Sequence, residues 1–159
     1  MKIIRFFAWS RPLCRAVDGV SAIEFAFVAP MLALLLIGLI DFGVGLWDQM
    51  QVSNAAAAGA EYAFIHGWNG TAISDAVSAA TNLASIVASP QPEEACGCPN
   101  VTSGITETGI PPCSGTCPDG SPIGTYALVS AEASYSLILP FPGVSGPMTL
   151  SSSAVARLK

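Results

Sequence analysis

The hydrophobic pattern is dominated by one long apolar run near the start of the chain. Residues 25–40 (FAFVAPMLALLLIGLI) carry no charge. Counted from Val20, the run would form about 31 Å of helix at ~1.5 Å per residue, which matches the ~30 Å hydrocarbon core of a bilayer. Pro30 lacks an N–H and is expected to kink or loosen this helix, and Glu24 places a carboxylate about one turn into the run. The pattern therefore predicts a membrane-spanning helix with one unusual acid.

The helical pattern continues beyond the span to about His66. The small residues Ala55, Gly59 and Ala63 recur every four positions, which would let another backbone approach closely. That backbone would belong either to another helix or to the protein's own globular part, and the pattern leaves both open. Larger side chains and further alanines predict one apolar stripe along the same helix: Phe42, Leu46, Met50, Ala56, Ala60 and Phe64.

The rest of the chain changes from helical to alternating periodicity. A turn at 67–71 precedes a second helix over 72–88, which Thr71 would cap, with Asp75 in its favourable first turn. Residues 90–124 are rich in Pro, Gly, Ser and Thr, which indicates a long irregular loop or short hairpin strands. Apolar side chains then alternate over 125–139 and 148–158, which predicts two antiparallel strands. The predicted fold class is α+β: a long membrane helix, a second short helix and a small antiparallel sheet.

Composition and charge argue against an ordinary soluble domain. Hydrophobic residues make up 52% of the chain and charged residues 11%, too few charges to cover a surface in water. The six Lys and Arg residues lie at or before Arg15 or at or after Arg157, and all eleven acids lie between them. Basic flanks favour the cytoplasmic side of a membrane, so we expect the N-terminus inside and the acidic portion outside. The absence of a basic patch in the sequence argues against binding to nucleic acid.

Four of the five cysteines fall within 22 residues on the side that we expect to be exported. Cys96, Cys98, Cys113 and Cys117 would form two disulfides in an oxidising compartment and staple a loop with little core of its own. A Cys96–Cys98 bond would close a very short ring and is the least favourable pairing. This leaves Cys96–Cys113 with Cys98–Cys117, or Cys96–Cys117 with Cys98–Cys113. The alternative is a zinc ion held by all four thiolates.

The N-terminal region resembles a known signal. A short basic leader is followed by Asp18-Gly19, by the stretch VSAIEF and by the apolar helix, as in the class III signal of type IV pilins and pseudopilins. The stretch DGVSAIEFAFVAPMLALLLIGLIDFG is similar to the TadE-like pseudopilins of tight-adherence (Tad/Flp) pilus systems. The alanine-rich stretch 54–63 and the last ten or so residues extend the resemblance. Phe25 stands where the Flp subfamily usually has tyrosine.

The resemblance implies a processing site, a set of domains and a function. A prepilin peptidase would cut between Gly19 and Val20, which makes Glu24 the fifth residue of the mature chain, with Glu24 and Phe25 serving subunit assembly. The domains would be a leader at 1–19, a pilin-like helix at 20–66 and an exported α+β domain at 67–159. The protein would be a minor pseudopilin of the bacterial inner membrane, with a periplasmic C-terminal domain and the pilus as a further location. Its partners would be other pilins, pseudopilins and the Tad assembly machinery, in pilus biogenesis, adhesion or secretion.

The sequence leaves two other functions open. The first is an unprocessed single-pass anchor that recruits a partner through its periplasmic domain. The second is a membrane-bound enzyme, for which the sequence offers no catalytic site. His66 is the only histidine, and no Gly-x-Ser-x-Gly motif or phosphate-binding glycine loop occurs. We therefore expect no enzymatic activity, no cofactor and no metal.

Overall fold

The structure, a computed structural model, describes residues 18–100, 102, 104–138 and 146–158. Residues 1–17 of the predicted leader, Cys14 among them, and residues 139–145 lie outside the described residues. The chain divides into two compact units, Met1–Leu39 and Ile40–Lys159. We call the second of these the head unit.

The predicted α+β fold is confirmed. The two helices are α1 (Asp18–His66) and α2 (Gly70–Ala79). The four strands are β1 (Glu93–Asn100), β2 (Gly104–Gly109), β3 (Gly124–Tyr135) and β4 (Met148–Arg157). The expected effect of Pro30 does not interrupt α1, which is helical on both sides of this residue.

All strand pairs in the sheet are antiparallel, and the strand order is β2-β1-β3-β4. The β3–β4 pair is the one that the alternating pattern predicted, and its register runs from Tyr126 opposite Arg157 to Tyr135 opposite Met148. The β1–β2 hairpin lies in the region that favoured either a loop or short strands. It joins the outer side of β3 through β1, so the predicted hairpin is extended into a four-stranded sheet.

The core of the head unit lies between one face of the sheet and the small residues of α1. Ala127, Val129, Ala131 and Ala133 of β3 are buried, and so are Val52, Ala55, Ala56, Ala60 and Ala63 of α1. Gly59 lies where α1 packs tightly against α2 and β3. A Cβ there would be 2.6 Å from Val77 Cγ2 and 2.8 Å from Val129 Cγ1. The small-residue stripe therefore packs on the protein's own head unit, which was one of the two partners left open.

The prediction of a single apolar stripe along α1 was wrong in detail. The larger apolar residues do not share one face with the core alanines, because Phe42, Leu46, Met50 and Phe64 are exposed whereas Ala56 and Ala60 are buried. Short side chains let a helix backbone approach the sheet closely. The face of α1 that carries alanine and glycine therefore contacts the sheet, and the large apolar side chains lie on its other faces.

The second helix is shorter and begins earlier than predicted. Asn69 caps it instead of Thr71, since its Oδ1 accepts a hydrogen bond from the Ala72 N–H at 3.1 Å. Because the helix begins at Gly70, Asp75 lies beyond the first turn. The helix ends at Ala79 instead of Ala88. Val87 instead adopts extended backbone and exchanges two 2.9 Å hydrogen bonds with Glu132 of β3, a long-range contact that overrides the local helical pattern.

Candidate assembly segment and the Asp41 cluster

The apolar part of α1 presents its side chains outwards over its whole length. None of the most apolar 18-residue stretch is buried, although its large side chains would avoid water if they could. Within the described residues, α1 is the one helix long and apolar enough to cross a membrane. The exposed large side chains between Ser21 and Ile40 are Ile23, Phe25, Phe27, Val28, Met31, Leu32, Leu34, Leu35, Leu36, Leu39 and Ile40. Such a continuous surface suits lipid or neighbouring apolar helices.

The sequence-predicted processing and assembly residues all lie at the start of α1. The helix begins at Asp18, so Gly19 and Val20 belong to its first turn. Glu24 follows Val20 by four positions, which is about one helical turn. The side chains of Glu24 and Phe25 are exposed on the apolar segment. The fold thus keeps these four residues close along one helix, and cleavage between Gly19 and Val20 stays a prediction.

The four cysteines between residues 96 and 117 form two disulfides, Cys96–Cys113 and Cys98–Cys117. This is one of the two pairings left open by the sequence. The Cα atoms are 5.4 Å and 5.7 Å apart, which are normal separations for bridged cysteines. Both bonds tie β1 to the chain between β2 and β3. Because all four sulfurs are used, none remains as a thiolate for the zinc alternative.

A buried acid of the head unit was not identified from the sequence. Asp41 is 2% exposed, although it directly follows the apolar run. The Tyr135 hydroxyl donates to its Oδ1 and also lies 2.8 Å from the Asp41 backbone carbonyl oxygen. The Ile138 backbone N–H lies 3.2 Å from each carboxylate oxygen. These contacts fasten the first turn of α1 inside the head unit to the end of β3.

The electrostatics of this Asp41 cluster keep Tyr135 protonated. The hydrogen bond to Asp41 and the removal of the phenol from water raise the pKa of Tyr135 from 10.0 to about 12. The negative charges of Asp41 and Asp48 act in the same direction because they disfavour a phenolate. The hydroxyl therefore remains a hydrogen-bond donor throughout the neutral range.

Tyr135→Phe is expected to destabilise the head unit by about 1.5–3 kcal/mol, the range for a buried hydrogen bond to a charged group. The folded-state pKa of Tyr135 is raised, so this contribution is complete below about pH 10 and is lost as the pH rises towards 12. Chemical denaturation of the full chain in detergent at several pH values measures both effects. Tyr62→Phe is the control, since phenylalanine keeps the ring contact with His66 at 4.4 Å. Equal stability of the Tyr135→Phe variant and the unmodified chain at pH 7 would contradict the role of Asp41.

Taken together, these features define a protein with one apolar helix suited to a membrane and a disulfide-bonded α+β head unit. Residues 19–61 match the family model described as TadE-like protein. No curated protein and no solved structure matches the chain. The match confirms, for this segment, the resemblance to TadE-like proteins that the sequence indicated. It begins at Gly19, the residue after which cleavage is predicted.

Proposed function

We propose that this chain is the precursor of a minor pseudopilin of a Tad/Flp-type pilus. A prepilin peptidase removes residues 1–19, and the mature subunit takes part in pilus assembly, with adhesion or secretion as the outcome. The role is structural and not enzymatic. The TadE-like match over residues 19–61 supports the proposal, because it contains the cleavage site and the whole apolar segment.

The observation that carries the proposal is a carboxylate on an exposed apolar helix surface, one turn from a prospective chain start. Cleavage after Gly19 creates an α-amine at Val20, which is positive near neutral pH. Burial of Glu24 alone among apolar helices is costly, and an amine nearby offsets that cost. The amine belongs either to the same subunit or to the next one. Glu24 then sets the position of one subunit along its neighbour as the apolar surfaces pack.

The proposal extends to location and partners. The subunit crosses the bacterial inner membrane once, with the N-terminus in the cytoplasm and the disulfide-bonded head unit in the periplasm. An oxidising periplasm agrees with the two disulfides. The peptidase acts on the cytoplasmic side, and other pilins, pseudopilins and the Tad assembly machinery contact the membrane helix.

Sequencing of the N-terminus of protein isolated from its native host tests the processing step. The expected start is Val20. Gly19→Ala is expected to slow or block processing, because the peptidase requires a small, flexible residue at this position. Gly43→Ala is the matched control, since Gly43 lies in the same helix with open space around it. A chain that retains Met1 in the unmodified protein would contradict the proposal and support the unprocessed anchor.

Glu24→Gln is expected to leave membrane insertion intact and to reduce association with other pilus subunits roughly a hundredfold or more. The variant keeps the shape of the side chain but leaves a buried amine without its counter-charge, which costs about 3–5 kcal/mol. Co-isolation of cross-linked subunits from the native host measures the effect. Glu61→Gln is the control, because Glu61 is an exposed acid of the same helix within the head unit. If the Glu24→Gln variant is co-isolated with other pilus subunits as well as the unmodified protein is, the charge-pairing role of Glu24 is contradicted.

A further inference from the structure

The end of the head unit that contains Asp41 carries exposed apolar side chains from three separate elements. They are Phe42, Leu46 and Trp47 of α1, Ile138 just after β3, and Met148 at the start of β4. Their exposed fractions lie between 46% and 66%, whereas smaller apolar side chains on the same elements are buried. We call these five residues the membrane-proximal rim.

Contacts within the head unit place Ile138 and Met148 beside the first turn of α1 in that unit. The Ile138 N–H lies 3.2 Å from both carboxylate oxygens of Asp41. Met148 is paired across the sheet with Tyr135, whose hydroxyl binds Asp41. Both residues are therefore close to the point at which the chain leaves the apolar run at Ile40.

A second contact fixes the direction of β4 along α1. Gln49 Nε2 donates to the Ser151 backbone oxygen at 3.0 Å. Gln49 lies about 12 Å beyond Asp41 along the helix, and Ser151 lies about 10 Å beyond Met148 along the strand. The two elements therefore run in the same sense away from this end, and Met148 lies level with the first turn after Ile40.

We propose that the membrane-proximal rim rests in the lipid headgroup layer of the bilayer that α1 crosses, an inference that depends on the membrane anchoring in the proposed function. The headgroup layer adds about 5–7 Å on each side of the hydrocarbon core. Along the helix, the backbone of Phe42 lies about 3 Å beyond Ile40, within this layer, and that of Trp47 about 10 Å beyond Ile40, just past it. Side chains of a helix lean towards its N-terminus, which for Trp47 is the direction of the bilayer. Tryptophan and other amphipathic side chains are enriched at this depth. The rim residues of α1 thus follow the apolar run directly along the chain.

The contact that the rim makes with lipid is apolar and not electrostatic. Arg157 is the one Lys or Arg residue within the described residues 18–158, and it lies about 30 Å from Met148 along β4. Asp41 and Asp48 give this end of the head unit acidic groups, which anionic lipid would not attract. A bilayer of neutral phosphatidylcholine therefore suffices as the partner.

Quenching of single tryptophans by brominated phosphatidylcholine tests the proposal in the full chain reconstituted in vesicles. Trp9, Trp47 and Trp68 are replaced by phenylalanine, and one tryptophan is returned as Ile138→Trp or Met148→Trp. Ile110→Trp is the control, because Ile110 is also exposed but follows Gly109, which joins the sheet near Thr125 at the opposite end of β3. Leu35→Trp, in the apolar segment, reports whether α1 has entered the bilayer.

We expect lipids brominated on the upper acyl chain to quench both rim tryptophans at least about threefold more than the control, since interfacial side chains lie ~5–10 Å into the headgroup and acyl boundary. Quenching of Leu35→Trp without quenching at the rim would overturn this inference and leave the membrane anchoring intact. Absence of quenching at Leu35→Trp would overturn both. A blue shift at the rim that grows with protein density and is not quenched would identify a second copy of the chain as the occupant, and would also overturn the proposal.

Discussion

Replacement of Cys98 and Cys117 together by serine is expected to lower the free energy of unfolding of the head unit by about 2 kcal/mol, because the remaining Cys96–Cys113 bond already shortens the loop that this disulfide closes. The disulfide joins residues 19 positions apart and constrains a loop that is rich in glycine, proline and serine. Its loss increases the conformational entropy of the unfolded chain, and the folded loop has few buried apolar side chains with which to compensate. Chemical denaturation of the full chain in detergent, without reductant, measures the change.

The double variant should also become more sensitive to protease between β2 and β3, since this segment then opens more often. Cys14→Ser is the control, because Cys14 belongs to the predicted leader and forms neither disulfide. Equal unfolding midpoints and equal proteolysis for the double variant and the control would show that the bond does not stabilise the head unit.

Gly59→Val is expected to destabilise the head unit by about 2–3 kcal/mol, through overpacking of its core. The added Cβ would lie 2.6 Å from Val77 Cγ2 and 2.8 Å from Val129 Cγ1. Both neighbours are fully buried and β-branched, so they cannot rotate away without entering other core residues. The α1 helix would have to move away from α2 and the sheet. Thermal unfolding followed by circular dichroism measures the loss.

A pair of alanine substitutions separates this packing effect from helix propensity. Gly43→Ala is expected to be neutral or to stabilise α1 by up to about 1 kcal/mol, since nothing lies within 4 Å of the new Cβ. Gly59→Ala gains the same propensity but should still be destabilising because of the two short contacts. If both alanine variants stabilise the protein equally, the close packing at Gly59 is absent.

The Asp41 cluster shows why part of the site could not be found from the sequence. The apolar run ends at Ile40, so an acid at position 41 appears as the ordinary boundary of a span. Its partner Tyr135 lies 94 residues later on a strand, and no spacing rule connects the two. Gly45, one turn after Asp41, lies beside the Tyr135 ring, but a Cβ there would be 3.5 Å from Tyr135 Cε1, an ordinary contact, so this glycine gives no signal either.

The α2 helix illustrates the limit of local patterns. Ile73 and Val77 follow helical spacing and are buried in α2. The same spacing continues to Val87, but there the backbone pairs with Glu132, and strand pairing replaces the helix. Local propensity differs by less than about 1 kcal/mol per residue between such states, so a long-range pair of hydrogen bonds is enough to decide.

The sequence by itself determined the apolar helix, the alternating strands, the cysteine cluster and the TadE-like segment with Glu24. Each of these depends on residues close together in the chain, where the period of a helix or strand reveals which side chains share a face. Only the tertiary structure decided which face of α1 meets the sheet, which cysteines are paired, and that Asp41 binds Tyr135. Those choices depend on contacts between distant segments, which form only when the whole core is packed and its small and large side chains fit together.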